Sequence, residues 1–208
     1  MENLLFAKVH FSELDTELAT SEILKINKDL WFWDDYRATS MLPLMTKESL
    51  PGANGSSNNR QGNFQWLPYT PSVIIDWFEN EIFPWMGTKT RIMALMTQPN
   101  FSNNEHIDCD EHQIGTRQHK FRIVLKGNTG TLYFKTKTGN ITAPDIIGPF
   151  LMDGSWPHGM TNNTTDFKLT IAAGAPWIGN SGYDNLDILL DKNNFQLPDN
   201  YKDYLKNI

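Results

Sequence analysis

The pattern of apolar and polar residues predicts strands in the middle of the chain and helices before them. Between residues 89 and 175, short β-rich segments are separated by Gly, Asn, Pro and Asp. These segments read TRIMALMTQ, TRQHKFRIVLKG, GTLYFKTKTG, IIGPFLMDG and DFKLTIAAG. Short strands with such separators are typical of an antiparallel sandwich or barrel, and we expect a jelly roll.

Helical periodicity is strongest in SVIIDWFENEIF, which has apolar residues at 74, 77, 78 and 82. The preceding Thr70 and Pro71 are typical of a helix start, and Pro84 is expected to end the helix. A weaker helix is predicted over residues 12–26, and a short one after Asp199.

The order of helices first and strands after predicts a mainly β, α+β chain with a double-stranded β-helix (jelly-roll, cupin-like) core. We expect a single domain over residues 1–208, in which residues 1–88 form a helical and loop flanking region. The jelly-roll core would cover 89–177 and a C-terminal extension 178–208. The stretch LPGANGSSNNRQGN, residues 50–63, is predicted to be a mobile loop, either a lid or a tolerated surface insertion.

Charge and composition argue against several classes of partner. The chain has a net charge of −6 and no long block of like charge, so nucleic acid is not expected. The first residues carry acids where a secretory signal would be basic, and no apolar run is long enough to span a bilayer. Cys109 is the single cysteine, which excludes an internal disulfide and a cysteine-rich zinc site. These features predict a cytoplasmic protein without membrane contact.

The chain contains seven Trp, and some of its aromatic residues are expected to line a pocket. In WFWDDYRATSM, residues 31–41, the aromatic residues pack in a core or lid, while Arg37 between them is a candidate to bind a substrate carboxylate. His112 and Trp156 are two further candidate substrate contacts, with a solvated loop histidine as the alternative for His112.

The stretch EHIDCDEH, residues 105–112, suggests half of a metal site. His106 and Asp108 project to the same face if the segment is extended, although taken alone they also fit a solvated acidic turn. His158 follows fifty residues after Asp108, a separation that brings a later jelly-roll strand back beside the first. Two histidines and one carboxylate form the facial triad of non-haem Fe(II) oxygenases, and zinc accepts the same ligands.

The strand DFKLTIAAG distinguishes between these metal chemistries. Its apolar residues 167, 169 and 171 form one face, with Lys168 and Thr170 on the other. If helices cover the apolar face, Lys168 points into the barrel, where a lysine needs an anion. The far carboxylate of 2-oxoglutarate would provide that anion, with the Thr170 hydroxyl beside it.

The stretch from Arg91 to Gly174 resembles the 2-oxoglutarate/Fe(II)-dependent dioxygenases, most closely the aspartyl/asparaginyl β-hydroxylase-like and prolyl-hydroxylase-like bacterial and phage members. The matching residues are HID at 106–108, the following TRQHKFRIVL, and LMDGSWPHGMTNNTTDFKLTI. The resemblance implies that His106, Asp108 and His158 bind Fe(II) and that Lys168 binds 2-oxoglutarate. It also implies that Arg117 and His119 help to hold the cosubstrate. Phe121 continues the same face of the strand and favours an inward orientation of the pair, with an outward, solvent-facing pair as the alternative.

One departure from the family pattern concerns the anchor for 2-oxoglutarate. Lys168 stands where most similar proteins have arginine, so two-pronged pairing with the carboxylate is lost and Arg117 is the alternative main anchor. The resemblance implies a hydroxylase that couples oxidative decarboxylation of 2-oxoglutarate to C–H hydroxylation of a small-molecule or peptide substrate by dioxygen. Two alternatives from other classes are a non-catalytic cupin-like binding protein and a cupin-type metal isomerase. His158 and Asn162 match the second half of a cupin motif, but the paired His-x-His of its first half is absent.

Overall fold

The computed structural model describes residues 3–47, 63–109, 111, 119–174 and 185–205. All but the last residue of the loop predicted over 50–63 lies outside these described residues, so its role as a lid or an insertion stays a prediction. Within the described part of the chain, no helix has the length and apolar character needed to cross a membrane.

Two helical segments precede the central strands, as the sequence predicts. Helix α1 spans Thr16–Lys25 inside the range 12–26, and the Asp15 carboxylate caps it by accepting a hydrogen bond from the Leu18 amide at 2.9 Å. The second segment consists of α2 (Ser72–Trp77), a π-helical turn (Phe78–Ile82) and α3 (Phe83–Met86). Near the chain end, the short helix predicted after Asp199 is a 3-10 helix, Tyr201–Tyr204.

The prediction that Pro84 ends the second helix is wrong, because the helix continues to Met86. Proline lacks an amide hydrogen, but Pro84 lies in the first turn of α3, where that hydrogen has no obligatory partner. The π-helical turn before it shifts the hydrogen bonding, and the Phe83 amide reaches the Phe78 carbonyl. The helix ends instead at Gly87, whose φ of 70° suits a residue without a Cβ.

The described strands are numbered β1 to β13 in chain order. They are Leu4–Val9, Phe32–Asp34, Thr39–Lys47, Phe64–Trp66, Ile92–Thr97, Phe101–Ser102, His119–Lys126, Leu132–Thr136, Gly139–Thr142, Pro149–Asp153, His158–Asn162, Lys168–Ala173 and Leu186–Asp191. Each of the five segments predicted as strands contains one of them.

The described strands form two antiparallel sheets. The larger has the order β13-β1-β10-β7-β12-β5-β3-β2, with β4 also paired to β3, and the smaller has the order β6-β11-β8-β9. Neighbouring strands are mostly distant in sequence, as in a jelly roll, and the predicted mainly β fold class is confirmed.

The division of the chain predicted from the sequence needs correction at both ends. Residues 1–88 contain β1 to β4 as well as helices, and the C-terminal extension contributes β13 to the edge of the larger sheet. Strand β1 is buried on both faces, so LLFAKV has no clean alternation of apolar and polar residues. Strand β3 contains Pro43, which argues against a strand when the sequence is read alone.

The two faces of the larger sheet are packed differently. Phe121, Ile123 and Ile171 face the main apolar cluster, which includes the buried residues of α1, α2 and α3. Between the sheets, Leu132 and Phe134 of β8 pack against Phe150 and Met152 of β10 in a second cluster. Side chains on the inner face of β7 and β12 therefore point into the barrel.

Candidate metal centre

His106, Asp108 and His158 lie together inside the barrel. Each is at least 93% buried, and one possible ligand atom from each lies within 4.8 Å of the others. His106 and His158 face each other in an antiparallel bridge, with amide-to-carbonyl hydrogen bonds of 2.9 and 3.0 Å. The Asp108 amide donates to the Gly154 carbonyl at 2.7 Å, which holds the carboxylate beside the two rings.

Backbone carbonyls orient both imidazole rings. Nδ1 of His106 lies 2.7 Å from the Asn104 carbonyl oxygen, and Nδ1 of His158 lies 2.8 Å from the Trp156 carbonyl oxygen. Carbonyls accept hydrogen bonds only, so each Nδ1 carries a hydrogen, and in the neutral form of either ring Nε2 keeps its lone pair. The two Nε2 atoms lie 3.5 and 3.8 Å from the Asp108 oxygens. This is the arrangement that a metal ion requires of its ligands.

Electrostatics keep Asp108 and His158 in the ligating form. Burial alone would raise the pKa of Asp108, but Arg37, His106 and Lys120 hold that pKa well below its usual range. Burial, followed by the nearby His106, lowers the pKa of His158 well below its usual value. A carboxylate and a neutral imidazole therefore coexist, as metal binding requires.

Two arginines hold the Asp108 carboxylate. Arg37 donates from its NH2 group to Oδ1 at 2.8 Å, and Arg122 donates to Oδ2 at 3.2 Å. Arg37 also bonds Asp34 at 2.9 Å. The predicted contact of Arg37 with a substrate carboxylate stays a prediction, but its partners here are two protein carboxylates, Asp34 and the candidate ligand Asp108.

Lys168 and Thr170 lie on the inner face of β12, as expected from the apolar residues that alternate with them. Lys168 Nζ donates to the Asn128 carbonyl, and to Thr131 Oγ1 at 2.6 Å. Burial, followed by the charge of Arg122, lowers the pKa of Lys168 to about 7. Thr170 Oγ1 is buried and has no hydrogen-bond partner among the described residues.

The inner face of β7 carries Lys120 and Arg122, two residues that are not among the candidates predicted from the sequence. His119 and Phe121 were expected to face the barrel, yet Phe121 packs under the helices and His119 alternates with Lys120. The signal was present in KFRIVL, because its apolar residues 121, 123 and 125 mark the helix-covered face. The rule that places Lys168 inside also places Lys120 and Arg122 there.

Three other candidate residues have different outcomes. Trp156 is buried in the cluster between the sheets, and its Nε1 donates to the Lys135 carbonyl at 2.6 Å. Its contact with the candidate site is made by its backbone carbonyl, which accepts from His158 Nδ1. Its ring is tied to the core because an indole N–H needs a partner when buried. His112 and Arg117 lie outside the described residues.

The C-terminal extension also reaches the site. The Tyr204 carbonyl accepts hydrogen bonds from the Ile107 amide at 2.8 Å and from the Tyr36 hydroxyl at 3.0 Å. The Tyr36 ring packs edge-on against His106, with 5.7 Å between ring centroids. The extension therefore supports the segment that carries two of the three candidate ligands.

Comparison with solved structures identifies proteins of the same fold. A Pseudomonas putida prolyl-4-hydroxylase superposes with a TM-score of 0.50 at 12% identity, covering 85% of this chain and 94% of that one. An oxidoreductase of the 2OG-Fe(II) oxygenase family from Burkholderia pseudomallei gives 0.52 at 8% identity, covering 81% and 82%.

HygX from Streptomyces hygroscopicus, solved with nickel, 2-oxoglutarate and hygromycin B, gives a TM-score of 0.54 at 11% identity and covers 83% of each chain. No family model matches the sequence, and no curated protein sequence matches it. At these identities the comparisons establish that the chain shares the jelly-roll fold of these oxygenases.

Proposed function

We propose that this protein is an Fe(II)- and 2-oxoglutarate-dependent oxygenase, and specifically a hydroxylase. The observation that carries the proposal is the buried His106, Asp108 and His158 cluster, with both imidazole Nε2 atoms free of hydrogen bonds to described residues. Two histidines and one carboxylate on one side of a metal leave positions for a cosubstrate and dioxygen. The fold shared with HygX, which is solved with nickel and 2-oxoglutarate, supports the same conclusion.

Buried polar atoms without partners test whether the residues fit these groups. The described residues include several buried side-chain atoms without a hydrogen-bond partner. One of them, Thr20 Oγ1, is on α1, and four others are Nε2 of His106 and His158, Nε of Arg122 and Oγ1 of Thr170. All four belong to residues assigned to the barrel interior. Such atoms are costly to bury unless a ligand satisfies them, so their convergence is expected of a site built for a metal and an oxyanion.

The chain's own residues have separable roles in this proposal. His106, Asp108 and His158 hold the metal, which supplies dioxygen activation coupled to decarboxylation of 2-oxoglutarate when bound. Arg37 and Arg122 orient the Asp108 carboxylate, and the charge of Arg37 helps to keep it ionised. Lys168 and Thr170 bind the far carboxylate of 2-oxoglutarate from the inner face of β12. Arg117 is the alternative main anchor.

Anaerobic titration with Fe(II) and 2-oxoglutarate tests the proposal directly. We expect a weak metal-to-ligand charge-transfer band in the visible for the wild-type protein. His106→Ala, Asp108→Ala and His158→Ala should each abolish the band and Fe(II) retention in equilibrium dialysis, because two ligands alone leave the ion poorly held.

His10→Ala is the matched control for these variants, since His10 is exposed and pairs with Asp187 away from the cluster. It should bind Fe(II) like the wild type. Iron retention by the His158→Ala variant would remove that residue from the ligand set. A protein that binds iron but never binds or consumes 2-oxoglutarate would instead favour a cupin-type metal protein.

A further inference from the structure

Lys120 is a buried cation whose charge helps to keep Asp108 ionised but to which the proposed chemistry assigns no ligand. It is 6% exposed, and its amine has no hydrogen bond or ion pair to another described residue. Burial, followed by the opposing effects of Asp108 and Arg91, leaves its pKa lowered to about 8. An ammonium group in such surroundings is unfavourable unless an anion accompanies it.

The strand register separates Lys120 from the 2-oxoglutarate anchor. Arg122 lies opposite Ala172 on the antiparallel strand β12, so Lys120 lies beyond Arg122 in the direction away from Lys168. Measured along the paired strands, Lys120 and Lys168 are six residue positions apart, which corresponds to about 20 Å between their Cα atoms. After burial, the charges of Arg122 and Asp145 affect the pKa of Lys168. The pKa of Lys120 is affected, after burial, by a different set of charges, those of Asp108, Arg91, Arg37 and Arg122.

Among the described residues, the carboxylates around this site are already bonded to arginines. Asp108 accepts from Arg37 and Arg122, and Asp34 accepts from Arg37. Arg91 lies close enough to Asp108 and Arg37 for their charges to affect its pKa. A divalent metal and the 2-oxoglutarate dianion cancel each other's charge, so their binding leaves Lys120 unmatched.

We infer that Lys120 binds an anionic group of the substrate, a carboxylate or a phosphate ester, on the side of the metal opposite Lys168. The inference rests on the proposed function and specifies its substrate class. An anion at Lys120 would place the rest of the substrate beside His106, Asp108 and His158. A cationic or fully neutral substrate would leave the buried ammonium uncompensated.

The test measures anion binding to the protein loaded with Ni(II) and saturating 2-oxoglutarate, without dioxygen. The probes are inorganic phosphate, N-acetylglycine and its neutral counterpart N-acetylglycinamide. Their binding is measured from the shift in melting temperature and by calorimetry. We expect at least one anionic probe to stabilise the wild type and the amide to have no effect. Whether phosphate or N-acetylglycine binds more tightly identifies the kind of anionic group.

Substitutions of Lys120 show whether the anionic probe binds at this residue. Lys120→Met and Lys120→Gln should weaken the anionic probe about tenfold or more, and Lys120→Arg should retain most of the affinity. Lys126→Met, at the exposed end of the same strand, is the matched control and should bind like the wild type. The affinity for 2-oxoglutarate should stay unchanged in all four variants.

Three results would overturn the inference while leaving the proposed function intact. The first is equal binding of the anionic probe by the wild type and both neutral variants. The second is that neither anionic probe binds to the wild type. The third is a loss of 2-oxoglutarate affinity in Lys120→Met, which would assign Lys120 to the cosubstrate. Failure of the wild type to bind Fe(II) and 2-oxoglutarate would instead contradict the proposed function itself.

Discussion

At the residue scale, Lys168 shows how burial adjusts the chemistry of one side chain. Its ammonium is held by two oxygen acceptors, the Asn128 carbonyl and Thr131 Oγ1, and its pKa falls to about 7 because burial disfavours the charged form. A carboxylate partner needs that charged form. The proposed anchor is therefore only partly charged near neutral pH before 2-oxoglutarate arrives.

We predict that 2-oxoglutarate binding weakens as pH rises through about 7. Below that pKa Lys168 is protonated and binds the carboxylate, and above it each unit costs up to tenfold in the protonated fraction. The apparent Kd from anaerobic titration should rise by up to roughly 25-fold between about pH 6.5 and 8.5. Lys168→Arg should bind with little pH dependence, because guanidinium stays charged.

Removing the Lys168 charge gives a second measurement at this scale. Lys168→Ala should weaken 2-oxoglutarate binding by roughly 1.5 to 3 kcal/mol, the usual contribution of a hydrogen bond to a charged group, and leave Fe(II) binding nearly unchanged. Thr170→Val should cost less, since it removes a neutral hydroxyl. Normal 2-oxoglutarate affinity in Lys168→Ala would mean that Arg117 or Arg122, and not Lys168, anchors the cosubstrate.

At the element scale, the turn after β7 controls the path of the Lys168 side chain. Gly127 has a φ of +104°, and a Cβ there would lie 2.9 Å from Lys168 Cγ. Only glycine both adopts this backbone conformation readily and leaves room for the lysine stem. The turn therefore helps to direct the amine towards Thr131.

Gly127→Ala should consequently lower both stability and 2-oxoglutarate affinity. The substituted residue is strained at positive φ, and its methyl group displaces the Lys168 stem. Gly139→Ala is the matched control, since Gly139 has a φ of +130° and no atom within 4 Å of the added Cβ. It should show a similar loss in thermal unfolding without any change in 2-oxoglutarate binding. Equal affinity in both variants would mean that the turn does not position Lys168.

At the scale of the whole molecule, stability depends on the helix-covered face of the larger sheet. The Phe121 ring lies 6.0 Å from those of Trp77 and Phe78 and 6.1 Å from that of Trp85, measured between centroids. This cluster joins the helices to β7, and β7 also carries Lys120 and Arg122 on its other face. Packing on one side of the sheet thus supports the site on the other.

Phe121→Ala should reduce the free energy of unfolding by roughly 3 to 5 kcal/mol, through lost burial and the cavity that remains. Urea unfolding followed by tryptophan fluorescence measures this loss. Ile147→Ala, at a side chain 88% exposed, should change stability little. A small effect of the Phe121 change would show that the helices pack independently of the sheet.

Much of the architecture follows from local pattern. Segments with clear alternation, such as DFKLTIAAG, form strands as predicted, and the capped helix near residue 16 forms as predicted. Strands β1 and β3 escaped prediction because they are buried on both faces or contain proline, so their pairing partners determine them. Local sequence carries no information about those partners.

The sequence by itself selected the candidate residues of the site, and the tertiary structure decided which other residues surround them. Residue types and spacing were enough to select His106, Asp108, His158 and Lys168, because ligating atoms and charge are properties of the side chains themselves. Which face of β7 points inward depended on where the helices packed, and this brought Lys120 to the site and turned His119 away. A strand offers two faces, and only its contacts decide which one is buried against the helices.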